Sequence, residues 1–289
     1  MLPGMHRLIT PLLALLLFVS TAPAQEPSFH GSAGLQLWTL RDLFKTDVPG
    51  TLDKIKALGF TEVETAGLYG KPAAELKAML TERGLKPISA HFQYDALTKD
   101  LDASIQDAKT LGVLYVAVPW IPHEIGSFSE ADARRASADF NRWGEAFKKA
   151  GITFTYHPHG YEFRPHNDGT LFDIIAAETK PEFVSFEMDV LWVFQPGQDP
   201  AKLLAKYPTR WVLMHLKDMR KGARRGVYTG QAPKTDDVPL GAGQVNWPEV
   251  LAAAHRVGVK HYFIEDESPT AEAQVRESLT YLGTLKAKP

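Results

Sequence analysis

Two histidines spaced i and i+2 sit in the run Thr153-Phe154-Thr155-Tyr156-His157-Pro158-His159-Gly160-Tyr161-Glu162-Phe163. Its β-branched and aromatic start, after Gly151, reads as a strand, and its polar end reads as a loop. Strand side chains alternate faces, so His157 and His159 point the same way if the strand continues to them. A pair of satisfied histidines in a turn is the plain alternative. Further along, Asp189, His215 and Glu265 close three more apolar runs. With His157 they form a mixed nitrogen and oxygen set, which suits one divalent ion such as Mn²⁺, Zn²⁺, Co²⁺ or Fe²⁺ better than Ca²⁺. The competing reading of the same residues is a ring of ion pairs around Lys217.

These residues need elements to hold them together. From Gly34 onward, apolar strand-like runs alternate with amphipathic helical ones. The strands are predicted at Leu35–Trp38, Glu62–Thr65, Pro87–His91, Leu114–Pro119, Ile152–His157, Phe183–Val190, Trp211–Leu216 and His261–Glu265. Between the first strands, Leu52, Ile55 and Leu58, then Leu76, Met79 and Leu80, then Leu101, Ile105, Ala108 and Leu111 keep the 3.6-residue spacing of a helix face. Glycine follows several helices, at Gly59, Gly84, Gly112, Gly151 and Gly258. The first four strands recur at roughly 26-residue intervals, the length of one βα unit. Such units predict a single (β/α)8 TIM barrel. An open doubly wound sheet would want a glycine-rich first turn, and Gln36-Leu37-Trp38-Thr39-Leu40 has none.

The chain opens with a basic start to Arg7, an apolar run from Leu8 to Val19, and Ala22-Pro23-Ala24. This is the pattern of a signal peptide over residues 1–24, cleaved near Ala24, with the barrel occupying 25–289. A periplasmic or secreted enzyme is the expectation, without a stable membrane span once the leader is gone. The sequence has no cysteine, which excludes disulfides and thiolate chemistry. Its formal charge of −2 argues against a nucleic-acid partner, which would call for a basic face.

In a barrel, function gathers where strands end and βα loops begin. The ends carry Glu62-Val63-Glu64, Ser89-Ala90-His91, Val118-Pro119-Trp120 with His123 following, then His157 and His159, Glu187-Met188-Asp189, His215-Leu216-Lys217-Asp218 and Glu265-Asp266-Glu267. Buried charges in such number are costly unless used.

The run from Gly34 to Leu282 resembles the sugar phosphate isomerase/epimerase family, the xylose-isomerase-like metal-dependent barrels of the AP endonuclease 2 superfamily. The likeness rests on Gly34-Leu35-Gln36-Leu37-Trp38-Thr39-Leu40-Arg41-Asp42, Tyr156-His157-Pro158-His159, Phe186-Glu187-Met188-Asp189, His215-Leu216-Lys217-Asp218 and Phe263-Ile264-Glu265. It implies one divalent metal ion, with Asp189, His215 and Glu265 as ligands and His157 where many members have a glutamate. A second departure is Trp192, where a histidine often follows the strand-six aspartate. Family glutamates on strands five and eight also form the acid/base pair. His157 therefore leaves the second carboxylate open between Glu187 and Glu162.

The expected chemistry is removal of a proton next to the carbonyl of a sugar or keto-sugar, giving an enediolate. Base candidates are His157, Glu187 and Glu265, and Lys217 would steady the developing oxyanion or sit in a salt bridge to Asp218 or Glu265. Proton return gives an isomerase or epimerase, while loss of a β-oxygen gives a keto-glycoside lyase or hydratase. Substrate contacts are expected from Trp38, Glu64, His91, Trp120, His159, Glu162 and Trp192, with tryptophans supplying ring faces. Glu64 reads better as a substrate or network carboxylate than as a ligand. Other readings are a non-catalytic periplasmic sugar-binding barrel and an abasic-site endonuclease, the latter disfavoured by leader and acidity. A homo-oligomer is compatible with all of them. The long segment Lys217–Val245 reads as a lid, its Lys221, Arg224 and Arg225 facing solvent rather than phosphate.

Overall fold

A computed structural model describes Met1, Phe29 and residues 31–285; apart from Met1 the expected leader lies outside the described residues. The strands are β1 (Ala33–Gln36), β2 (Glu62–Ala66), β3 (Lys86–His91), β4 (Tyr115–Val118), β5 (Thr153–Tyr156), β6 (Val184–Asp189), β7 (Trp211–Leu216) and β8 (His261–Ile264). They close into one parallel ring in the order β1-β8-β7-β6-β5-β4-β3-β2. The predicted strands are all present, with ends moved by a residue or two. β5 stops at Tyr156, although the His157 N–H still bonds to the Val118 carbonyl at 3.1 Å.

The outer helices are α1 (Val48–Ala57), α2 (Ala73–Glu82), α3 (Leu101–Leu111), α4 (Glu130–Lys149), α5 (Leu171–Glu178), α6 (Pro200–Lys206), α7 (Trp247–Val257) and α8 (Ala271–Thr284). In α4, a capping box between Ser129 and Asp132 starts the helix, and Ala133, Ala136, Phe140, Trp143 and Phe147 form its buried stripe against the sheet. Gly59, Gly84, Gly112, Gly151 and Gly258 all take positive φ, as helix ends require.

Inside the ring, Ile88, Leu213 and Phe263 form a separate apolar plug. Gly34 makes room for it, since a Cβ there would come 2.7 Å from Phe263 and 2.9 Å from the Glu62 carbonyl. Above the plug the period of two continues on the same strands: His215 and Lys217 follow Leu213, and Glu265 follows Phe263. Two register shifts interrupt the ladders, between Val63 and Glu64 and between Phe186 and Glu187. Each immediately precedes a fully buried glutamate. Bulges of this kind re-aim side chains beside functional sites.

The segment after β7 roofs this end. It returns through an antiparallel pair, Asp218–Met219 with Asp237–Val238. Gly230 docks on Trp120 and Tyr161, where a Cβ would stand 2.8 and 2.9 Å from their rings. Asp218 forms no ion pair with Lys217, which corrects the Asp218 alternative for that lysine's salt bridge. Its carboxylate instead accepts from the backbone N–H groups of Met219 (2.8 Å), Gly241 (2.9 Å), Gly243 (3.2 Å) and Val245 (3.2 Å), and from Trp247 Nε1 (2.8 Å). It therefore ties both ends of the roof to the start of α7. Removing it as Asp218→Ala strands these donors and should lower stability by about 3 kcal/mol, read from urea unfolding. A loss under about 0.5 kcal/mol would show that the roof is anchored elsewhere.

Candidate active site

Parallel pairing sets Asp189 opposite His215, and the Glu265 N–H continues the ladder to Leu216. As a result Asp189, His215 and Glu265 bring one donor atom each within 4.8 Å of one another. Glu265 Oε2 lies 3.1 Å from His215 Nδ1. Asp189 is divided in function. Its Oδ1 caps the short helix Val190–Phe194 by accepting from Trp192 N–H at 3.0 Å. Its Oδ2 is buried without a hydrogen bond, 3.8 Å from His215 Nδ1 and 4.0 Å from His157 Nε2. A carboxylate oxygen left bare in a dry interior and faced by two imidazole nitrogens is the surrounding a divalent cation satisfies. The donors present fit the ion expected from sequence.

A lower tier orients the rings. His157 Nδ1 lies 3.1 Å from Glu187 Oε2, which turns Nε2 towards Asp189. His215 Nε2 lies 2.6 Å from Glu64 Oε2, which turns Nδ1 towards Asp189 and Glu265. His91 Nε2 bridges the two carboxylates, 3.1 Å from Glu64 and 3.0 Å from Glu187. Gln36 closes the tier with a 2.7 Å bond to Glu64. Such carboxylate–histidine pairs fix the tautomer and raise the basicity of a metal-binding ring. His91, His157, Glu187 and His215 also form a compact four-residue donor set. In it Glu187 Oε2 is engaged by His91 and His157, and Glu187 Oε1, though without a hydrogen bond, lies 3.3 Å from His215 Nε2. Asp189 Oδ2 stands 3.8 and 4.0 Å from its two imidazole nitrogens, so the upper set leaves the wider seat for a cation.

The electrostatics follow from burial and pairing. Burial opposes charge on His91, but Glu64 and Glu187 outweigh it and raise the imidazole to about 10. His215 is likewise raised well above its ordinary range by Glu187 and Glu64 against burial. Burial, aided by the neighbouring His215, lowers His157 well below it, so His157 is neutral. Burial also pulls His159 down, to about 4. Lys217 is buried yet held charged by Glu265, Glu267 and Asp237, at 3.5, 2.6 and 3.8 Å. The expected bridge from Lys217 to Glu265 is thus present.

A cavity of about 460 Å³ opens above these groups, walled by Trp38, His91, Trp120, His157, His159, Trp192, Asp237, Glu265 and Glu267 among others. Trp192 stacks on His159 (centroids 5.4 Å apart), and Lys217 Nζ sits 5.0 Å from its ring. Trp38 is 45% exposed at the rim and donates to Glu267 at 3.1 Å. Four residues expected at the reacting centre or substrate do not reach the wall, and Lys217 is one of them, buried behind Glu265 and Glu267. Glu64 and Glu187 lie beneath the histidines, as network carboxylates. Glu162 is fully buried behind the loop, bonded to the Tyr156 hydroxyl and to the His159 N–H at 3.1 Å. It supports His159 rather than supplying a cavity carboxylate. Gly230, Gln231, Ala232, Lys234 and Asp237, all within the segment read as a lid, also line the wall, and Glu267, at the end of the last strand run, joins them without having been given a role from sequence. Lys234 of the loop lines the cavity, whereas Arg225 stays outside, lying 3.9 Å over Phe194 and bonded to the Phe194 and Gln198 carbonyls.

Two outcomes follow. Glu64→Gln should weaken Mn²⁺ or Zn²⁺ binding by about 10–100-fold, measured by chelator competition; unchanged affinity would remove Glu64 from the support of His215. Burial raises Glu162 from 4.5 to about 7. Its folded pKa exceeds the unfolded one, so its stabilising effect is full below pH 4.5 and is lost as pH rises to about 7. The urea unfolding free energy of Glu162→Gln should therefore gain on the wild type's by about 3 kcal/mol across that window. Parallel curves would contradict the assignment.

Comparison with known proteins places the fold in a family. The family model for the xylose isomerase-like TIM barrel matches residues 52–285. An inosose dehydratase of Lacticaseibacillus casei is 24% identical over 273 residues, covering 82% of this chain and 86% of that protein. Inosose dehydratase 2 of Bacillus cereus is 24% identical over 210 residues, 64% of this chain and 69% of that protein. A sugar phosphate isomerase/epimerase structure from Parabacteroides distasonis superposes with a TM-score of 0.69 at 26% identity, over 90% of this chain and 95% of that one. The IOLI protein with a binding zinc atom shares the fold, with a TM-score of 0.67 at 15% identity over 88% of this chain and 97% of that one. Closed parallel barrel and family match agree, and the chain belongs to the xylose isomerase-like TIM barrel family.

Proposed function

We propose that this chain is an exported, divalent-metal-dependent lyase that removes water from a polyhydroxy ketone through an enediolate. The observation that carries the reading is the bare, buried Asp189 Oδ2 set among His157, His215 and Glu265 at the floor of the cavity. Asp189, His215 through Nδ1 and Glu265 would hold the ion, with His157 Nε2 as the fourth donor. When bound, the ion makes the C–H beside a ligated carbonyl acidic. Glu265, on the cavity wall, takes that proton, and Lys217, buried 3.5 Å behind it, keeps the carboxylate ionised. Glu187, offered by the sequence as a base, acts by orienting His91 and His157. Trp38, Trp120 and Trp192 take the apolar surface of the ring, and His91 and His159 its hydroxyls.

Loss of the β-hydroxyl is favoured over proton return because the relatives of known activity named above are inosose dehydratases. Isomerisation or epimerisation shares the first step and is the second reading, supported by the 26% identical isomerase/epimerase structure. Export rests on the N-terminal sequence pattern alone, with cleavage near Ala24.

The test is incubation of the purified chain with inososes and ketohexoses in deuterated water, following exchange by NMR and water loss by ultraviolet absorbance. Exchange with elimination is expected, abolished by chelation and restored by Mn²⁺, Zn²⁺, Co²⁺ or Fe²⁺. Glu265→Gln should slow it by about 10²–10⁴-fold. Exchange that yields only isomerised sugar selects the second reading, and turnover that survives complete chelation refutes both.

A further inference from the structure

Beside the main cavity lies a second, of about 310 Å³, walled by Gln93, Tyr94, Asp95, Trp120, Pro122 and His123. Gln93 and Trp120 belong to both walls. The outer cavity is formed between the short helix Tyr94–Lys99, which follows β3, and the loop after β4, at the same end of the barrel as the metal seat. Both volumes fall in the size range of small-ligand sites.

The chemistry of its wall is specific. Trp120 and Tyr94 offer ring surface for the C–H faces of a cyclic polyol. Asp95 is an exposed carboxylate and Gln93 an exposed amide, both able to bind hydroxyls. His123 Nδ1 lies 2.7 Å from the Ile121 carbonyl and so carries a hydrogen towards it. Its Nε2 is buried and has no hydrogen-bond partner. No lysine or arginine lines this cavity. On the main wall Lys234 stands against Asp237, Glu265 and Glu267. A phosphate, which needs charge-assisted donors, finds no such donor in the outer cavity.

We infer that the outer cavity binds a second, uncharged, hydroxylated ring joined to the one that reacts, so that the substrate is a two-ring keto-glycoside and not a sugar phosphate. The inference rests on the sugar-directed function proposed above and adds the size and charge of its substrate.

Calorimetric titration of the full chain, with Mn²⁺ and again after chelation, would compare glucose, methyl glucoside, cellobiose, maltose and glucose 6-phosphate. At least one disaccharide should bind about tenfold tighter than glucose or methyl glucoside, the gain of one or two added hydrogen bonds. Asp95→Ala, at an exposed position, and His123→Phe, which keeps a ring in place, should each reduce that gain and leave glucose binding unchanged. Equal affinities for mono- and disaccharides, no disaccharide binding, tighter binding of glucose 6-phosphate, or variants that weaken glucose equally would each overturn it. A disaccharide gain that persists without metal, in a protein that never exchanges substrate protons, would sink the lyase reading and leave the second-ring site standing.

Discussion

Four carboxylates, Glu64, Glu187, Asp189 and Glu265, are held almost wholly out of water in one mouth of the barrel, and everything near them answers that charge. An ionised carboxylate without partners is several kcal/mol too costly for such a place. Histidine resolves the conflict because each ring has two nitrogens that can face different partners. His215 spends one on Glu64 and presents the other to Asp189 and Glu265. His157 does the same between Glu187 and Asp189. One oxygen of each lower carboxylate is thereby bonded, while Glu64 Oε1 and Glu187 Oε1 have no hydrogen bond, and the upper pair is left for a cation. One layer supplies orientation and the next supplies affinity, with the rings passing the constraint between them.

Low dielectric is what gives these pairings their strength, and two unrelated parts of the chain maintain it. From below, Ile88, Leu213 and Phe263 plug the ring, with Gly34 ceding the space that Phe263 fills. From above, the segment after β7 is clasped by Asp218 and rests Gly230 on Trp120 and Tyr161. Lys217 lies between plug and roof. Its charge persists there because three carboxylates surround it, and it in turn steadies Glu265 on the cavity wall. Packing and electrostatics are therefore not separable in this mouth. A leak in either cover would admit water and weaken every pairing at once.

The same balance bears on what can enter. The cavity wall carries three carboxylates, Asp237, Glu265 and Glu267, against Lys234, with Lys217 paired behind them, while Arg225 of the roof turns to backbone carbonyls. Trp38, Trp120 and Trp192 present ring faces there, and His91, His157 and His159 present ring nitrogens. Fold likeness to a sugar phosphate isomerase/epimerase thus does not carry its phosphate over to this chain, since the barrel is shared and the charge at its mouth belongs to individual side chains.

Much of this could be read from the chain alone. Alternation along a strand places Glu187 with Asp189 and His215 with Lys217, and parallel closure brings the ends of neighbouring strands to one rim, so the convergence of Asp189, His215 and Glu265 follows from local pattern and topology. The helix-ending glycines follow from backbone sterics. Other features do not follow. The register shifts before Glu64 and Glu187 arise from pairing with β3 and β7, and no pattern within β2 or β6 announces them. Glu64 meets His215 across 151 residues, Asp218 turns away from its neighbour Lys217 to a loop more than twenty residues on, and Glu162 folds behind His159 instead of into the cavity. Sequence fixes which faces and which rim, because those depend on covalent geometry and short periods. Which of the gathered charges faces cation, substrate or another side chain depends on packing between distant segments, and only the folded barrel decides it.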